Sequence, residues 1–333
     1  MKINSGALLA FLFVMAGCND SENDLEQRAH LGDVAAQFEL AQCYIHGDGV
    51  ARDAEQAVKW WQEAAEQGHA KAQYSLGVAY QHGDGVTKDV EKAVQWFQKS
   101  AEQDLPQAQF NLARCYYEGL GVPKDVVQAV QWYQKAAEKG HLFAQCNLGL
   151  CYLHGEGVER DGLKAVEWLE KAAGQGDALA QNELGRCYIK GGDSISKNSA
   201  LAFQWFQKSA EQGNADGQAY LAMCYHFGEG TVVDMEKAIT WYQKAAQQDN
   251  VSALMNLAGY YRDRDQKAMF NCFKKAAELG DSEASLMLGL CYFDGRGVKA
   301  DLEKAAYWMK KSAAQGNEYA KELLNKKPFS MFF

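Results

Sequence analysis

Ala108, Leu112, Ala113 and Tyr116 fall at i, i+4, i+5 and i+8, the spacing that gathers one apolar face of an α-helix. The pattern breaks at Gly119-Leu120-Gly121, where glycine permits positive φ and a sharp turn. Val122 follows as an inward apolar position, and Asp125 stands where a side-chain oxygen caps the next helix. That second helix is expected to bury Ala129, Trp132, Ala136 and Ala137, and Gly140 ends it as a left-handed residue. One such hairpin covers one side of its apolar stripe only. It needs a copy on each side.

The chain supplies the copies. The residue equivalent to Leu112 recurs at Leu40, Leu76, Leu148, Leu184, Leu221, Leu257, Leu288 and Leu324. The usual step is 36 residues; one step is 37, where Gly191-Gly192-Asp193-Ser194 rebuilds the turn, and one is 31, from Leu257 to Leu288. A tyrosine follows four residues after each of the first eight leucines, from Tyr44 to Tyr292. The second helix repeats a tryptophan at 60, 96, 132, 168, 205, 241 and 308, with Cys272 and Phe273 in that region of the short repeat. Caps recur as Asp53, Asp89, Asp125, Asp161, Asn198, Asp234, Asp265 and Asp301. Only Gln56 and Gln128 complete a capping box; Lys92, Lys164, Lys237 and Lys304 take that place in four of the other repeats. The stops are glycines, with Asp104 and Asp249 as less comfortable replacements.

The boundaries follow from where the pattern fails. Residues 19–33 read as the end of a helix without its partner, 34–317 as eight full repeats, and 318–333 as a ninth first helix followed by the apolar Pro328-Phe329-Ser330-Met331-Phe332-Phe333. Half-repeats of this kind close the ends of a stack. The tail either folds back on the final hairpin or marks a contact site. Alternating β-branched residues are missing, so the fold class is all-α.

The pattern AxxxLGxxYxxGxGVxxDxxKAxxWYxKAAxxG resembles the Sel-one-like repeat (SLR), a relative of the tetratricopeptide repeat. The match is best from Ala72-Gln73-Tyr74-Ser75-Leu76-Gly77 through Gly83, Gly85, Val86, Asp89, Lys92, Ala93 and Trp96. The resemblance covers roughly residues 23–325 and implies a right-handed α/α solenoid (superhelix) that holds other proteins. The short repeat departs from the family pattern: it has lost the GxGV turn and keeps Arg262-Asp263-Arg264.

Charge changes the picture by exclusion. The net charge is −9, and the cations are interspersed with acids on helix surfaces, so nucleic acid is not an expected partner. The start of the chain is different in kind. Lys2 precedes an apolar run from Ala7 to Ala16, too short to span a bilayer and shaped like a secretory signal. It ends Met15-Ala16-Gly17-Cys18, which resembles the lipobox of bacterial lipoproteins and implies lipidation of Cys18. Asn19 in place of Asp weakly favours the outer membrane over inner-membrane retention. The expectation is a lipid-anchored protein facing the periplasm; cleavage into the periplasm or secretion is the alternative.

Three constellations bear on chemistry. Cys43, Cys115, Cys151, Cys187, Cys224 and Cys291 share one repeat position. Neighbouring helix pairs about 9–10 Å apart exceed the roughly 4.4–6.8 Å that a disulfide spans, so buried thiols are expected. His46, His82 and His154 each precede a Gly-acid pair, but a whole repeat or more separates them, and no metal site is expected. Ser194-Ile195-Ser196-Lys197 matches SxxK without the companion elements of the serine enzymes that use it. No catalytic residue and no cofactor is therefore expected; a secreted β-lactamase-like hydrolase or a secreted effector remains the alternative.

What remains is surface. The positions flanking each leucine form a strip along the first helices. The candidate partner-binding residues on it are Phe38, Tyr74, Phe110, Asn111, Arg114, Tyr117, Asn147, Leu150, Glu183, Arg186, Tyr220 and Met223. Aromatic and apolar residues with scattered Arg and Asn suit an extended peptide or a partner helix. Gln73, Gln109, Gln145, Gln181 and Gln218 recur too regularly for partner choice and are expected to bond between repeats.

Overall fold

The structure is a computed structural model that describes residues 22–192 and 194–325. The expected signal segment with Cys18 and the apolar tail from Pro328 lie outside the described residues. The chain divides into two compact units, residues 1–171 and 172–333. Among the described residues the regular structure is helical throughout, apart from one isolated bridge between Gly192 and Ile195. Each unit is an all-α solenoid, and consecutive helices pack on one another from residue 22 to 154 in the first and from 178 to 324 in the second.

Among the described residues the first unit opens with α1 (Glu22–His30) and continues with α2 (Val34–His46), α3 (Ala54–Glu66), α4 (Ala70–His82), α5 (Val90–Glu102), α6 (Pro106–Glu118), α7 (Val126–Glu138) and α8 (Leu142–His154). The division falls within α9 (Gly162–Gly174). The second unit holds α10 (Ala178–Lys190), α11 (Ser199–Glu211), α12 (Ala215–Phe227), α13 (Met235–Gln247), α14 (Val251–Tyr261), α15 (Gln266–Glu278), α16 (Ser282–Asp294), α17 (Leu302–Ala314) and α18 (Glu318–Leu324). Even-numbered helices are the first of each hairpin, odd-numbered the second.

Each hairpin is closed by its recurring residues. The carbonyl of Cys115 accepts the N–H groups of Gly119 and Leu120, and the carbonyl of Tyr116 accepts the Asp125 N–H at 2.8 Å. The Asp125 carboxylate then accepts from Gln128 N–H, satisfying an orphan donor at the start of α7. Where lysine stands at the fourth position of the box, it leans back on the cap: Lys92 lies 3.4 Å from Asp89 and Lys237 3.0 Å from Asp234. The same Lys92 ammonium sits 5.4 Å over the ring of Tyr80. The second turn glycine has a separate reason. At Gly121 φ is +69°, and a Cβ there would lie 2.6 Å from the carbonyl oxygen of Val90, at the start of the preceding second helix. Consecutive hairpins touch backbone to backbone at that point.

The leucine column is buried throughout, but the tryptophan column is not the core expected from the spacing. Trp132 is half-buried, and its neighbour Tyr133 fills the interior at 3% exposure. The buried column reads Trp61, Phe97, Tyr133 and Leu169 in the first unit, and Phe206, Tyr242, Phe273 and Met309 in the second. Six of the seven tryptophans in this column instead carry a lysine from one turn later: Lys99 lies 4.0 Å from the centre of the Trp96 ring, Lys135 3.9 Å from Trp132, and Lys244 3.8 Å from Trp241. At i, i+3 the ammonium reaches the aromatic face while staying in water. That arrangement suits a partly exposed ring.

The glutamines do bond between repeats. Gln73 Nε2 donates to the carbonyl of Ala65 in the preceding second helix, and its Oε1 accepts from Gln103 of its own second helix. Gln37, Gln181 and Gln218 bond in the same two ways. The thiols of Cys115, Cys151, Cys224 and Cys291 are buried as expected, and burial pushes them up to about 11, 12, 12 and 11 respectively.

Candidate binding groove

α6 turns Ala108, Leu112, Ala113 and Cys115 into the core, which leaves Phe110, Arg114 and Tyr117 as a stripe on its other side. α8 does the same with Ala144, Leu148 and Cys151, leaving Phe143, Asn147, Leu150 and His154 at i, i+4, i+7 and i+11. The two stripes border a cavity of about 210 Å³ lined by Arg114, Tyr117, Glu118, Tyr133, Asn147, Leu150, Cys151, His154 and Glu156. Four of the twelve strip residues expected from the sequence thus meet at one place. Tyr133 and Glu156 are contributed by α7 and by the turn after α8.

One end of the groove is aromatic and uncharged. The Phe110 ring stacks on His141 at 4.7 Å, and Phe143 lies 6.1 Å from both. The His141 Nδ1 accepts from Ala144 N–H, and burial pushes its pKa down, so this ring is neutral at pH 7. Phe143 is 54% exposed, a large apolar side chain facing solvent beside two other rings. The other end is polar. Arg114 pairs with Glu118 at 3.4 Å, and the Tyr117 hydroxyl donates to the Glu156 carboxylate. That hydrogen bond, with burial second, lifts the Tyr117 phenol to about 12. Burial raises the Tyr133 phenol further, and it lifts the Cys151 thiol to about 12. A thiol held protonated is the opposite of an activated nucleophile. The groove combines apolar area, hydrogen-bonding groups and charge in the manner of a binding surface.

The other strip residues are placed differently. Phe38 packs on His69 at 4.8 Å, Tyr74 packs on Phe97 at 6.0 Å, and Asn111 is half-buried on α6. In the second unit Tyr220 stacks on Phe206 at 4.9 Å, and Met223 packs half-buried against the core around Tyr242. Glu183 does not line a surface. It is buried, and its carboxylate is held by Arg186 through both oxygens at 2.9 Å, leaving Arg186 as the exposed member. Sequence reasoning missed Phe143 and Glu156. A signal for Phe143 existed: its repeat equivalents in the first unit are Ala35, Lys71 and Gln107, so a phenylalanine there stands out.

Among the described residues no three His, Cys, Asp or Glu side chains come together as metal ligands. Ser194 occupies a turn at φ +67° beside the Gly192–Ile195 bridge, and no helix begins at it. No described helix is long and apolar enough to cross a membrane.

Eight segments match the Sel1 repeat family: residues 34–69, 70–105, 106–141, 142–177, 178–214, 215–250, 251–281 and 282–317. A Sel1 repeat protein from Oxalobacter formigenes is 31% identical, with a TM-score of 0.72 over 94% of this chain and 92% of that one. The chain is also similar to c5321, a protective antigen present in uropathogenic Escherichia coli strains and displaying an SLR fold. There the identity is 35% and the TM-score 0.56, over 89% of this chain and 72% of that one. DAP3-binding cell death enhancer 1 of Rattus norvegicus is 43% identical over 60 residues, which is 18% of this chain and 12% of the rat protein.

Proposed function

The chain belongs to the Sel1 repeat family, and from that premise we propose that it is a non-catalytic adaptor of the bacterial envelope. In this reading it holds a partner protein in the groove between α6 and α8. Sel1 repeat proteins are generally protein-interaction scaffolds. The observation that carries the reading is Phe143, exposed on the Phe110–His141 shelf one helical turn from Asn147, which lines the cavity with Arg114 and Tyr117. Exposed aromatic side chains beside arginine are the usual anchors of protein interfaces. Replacing Phe143 and Arg114 by alanine together should lower affinity for the physiological partner at least tenfold, since anchors of this kind contribute about 2 kcal/mol or more each. The helical content, read by circular dichroism, should stay unchanged, because both side chains lie outside the core.

The envelope location rests on Met15-Ala16-Gly17-Cys18 after the apolar run from Ala7. On this reading Cys18 carries the lipid, and the repeats hang from the membrane by that anchor alone. Metabolic labelling with a palmitate analogue should mark the wild-type chain and leave Cys18→Ser unmarked. A soluble, unlabelled wild-type chain would move the protein to the periplasm or the medium.

A further inference from the structure

We propose that the cavity between α6 and α8 receives the cationic side chain of a lysine or arginine from an extended basic segment of the partner, with Glu156 as counter-ion and Tyr117 and Tyr133 as walls. The proposal rests on the groove being a partner surface, and it adds the chemistry of the occupant.

Charge is the first argument. Of the two carboxylates at the cavity, Glu118 is matched by Arg114. Glu156 is held only by the neutral hydroxyl of Tyr117, and among the described residues no lysine or arginine pairs with it. His154, the other basic group in the lining, makes no ion pair among the described residues. An incoming cation therefore meets an unmatched carboxylate that is already oriented.

The walls supply the second argument. The Tyr117 and Tyr133 rings lie 6.4 Å apart and open at 55°, so a cation between them sits within the ~6 Å at which an aromatic face attracts it. Lys124, at 5.6 Å, already approaches the Tyr117 ring. The combination is particular to this pair of hairpins. At the two positions held by Tyr117 and Glu156, the earlier hairpin pairs of the same unit carry Ile45 with Asp84, and Gln81 with Leu120.

Spacing gives the occupant its shape. From Phe143 to His154 the α8 stripe runs about 16 Å at ~1.5 Å per residue, the length of about five residues of extended chain. A partner segment that rests an apolar side chain on Phe143 places its cation four or five residues further on. The net charge of −9 favours the approach of such a basic segment.

The test is a library of random twelve-residue peptides displayed on phage and panned on the full chain at low salt. Enriched sequences should pair lysine or arginine with an aromatic or large aliphatic residue four or five positions away. For the best lysine-containing synthetic peptide, Glu156→Gln should lower affinity about tenfold. Replacing the peptide lysine by norleucine should cost the wild-type chain the same factor and the Glu156→Gln chain almost nothing. Tyr117→Phe keeps the wall and releases the carboxylate, so it should bind at least as tightly as wild type; weaker binding overturns the proposal. Enriched peptides without a cation, or indifference to norleucine, also overturn it, and the groove reading then survives if Phe143→Ala still weakens capture. No enrichment, or binding indifferent to Phe143→Ala, removes both.

Discussion

Tyr133 and Trp132 are neighbours on α7, yet Tyr133 is interior and Trp132 lies at the surface under Lys135. The difference has a direct consequence for stability. Tyr133→Ala should destabilise the first unit by about 3–5 kcal/mol through the cavity it leaves. Trp132→Ala should cost only ~1–2 kcal/mol, for a half-buried ring and its cation. Chemical denaturation of the two variants side by side checks the order. The tryptophan column was legible as a column, but its burial was not. One step of helix rotates a side chain by about 100°, and either neighbour satisfies an apolar periodicity. The glutamine ladder offers a sharper case. Gln109 lacks the usual glutamine donor because Lys139 occupies that position, and its buried Oε1 has no hydrogen-bond partner. Lys139 instead pairs with the exposed Asp104 at 3.3 Å, an ion pair that contributes little. Lys139→Gln should therefore stabilise the chain by up to ~1 kcal/mol, and Gln73→Ala should destabilise it by about 1–3 kcal/mol. Thermal melts would show both.

At the scale of the hairpin, the caps and turns set how the protein responds to acid and to substitution. The backbone N–H groups of Lys92, Lys164, Lys237 and Lys304, with the lysine ammoniums behind them, hold the Asp89, Asp161, Asp234 and Asp301 carboxyls below their ordinary values. A carboxyl with a depressed folded pKa contributes its full stability above the unfolded value of about 3.9. It loses that stability as pH falls through the folded value. Unfolding followed by circular dichroism should therefore steepen below about pH 4. Asparagine at all four positions keeps the cap oxygen but does not titrate, so the quadruple variant should lose much of that dependence. The turn glycines give an opposite kind of sensitivity. Gly121→Ala places a methyl 2.6 Å from the Val90 carbonyl at φ +69°, and a loss of several kcal/mol is expected from strain and clash together. Gly140→Ala, with nothing within 4 Å, should be penalised by its φ of +84° alone. These elements were readable in advance. A glycine followed by a capping acid is a local signal, and the turn and cap hydrogen bonds of each hairpin close within it. The contact made by the second turn glycine with the preceding hairpin was not readable, since the repeat fixes spacing along the chain and not distance across the stack.

For the molecule as a whole, the repeats account for the fold, and the departures from repetition mark the groove. Phe143, Tyr117 and Glu156 each differ from their equivalents in neighbouring hairpins, and all three stand at α6, α8 and the turn that follows. The strip was legible as a set of first-helix positions. Which of its members reach solvent was not, because neighbouring aromatics absorb Phe38, Tyr74 and Tyr220, and Glu183 turns inward to meet Arg186. The proposed role of this one groove is to hold a protein. A photoreactive phenylalanine analogue placed at Phe143, and separately at the exposed Val127 of α7, tests it most directly in intact cells. One discrete crosslinked partner is expected from position 143, lost when Arg114 and Tyr117 are replaced by alanine, and none from position 127. Equal crosslinking from both positions, or a product at 143 indifferent to those replacements, would contradict it.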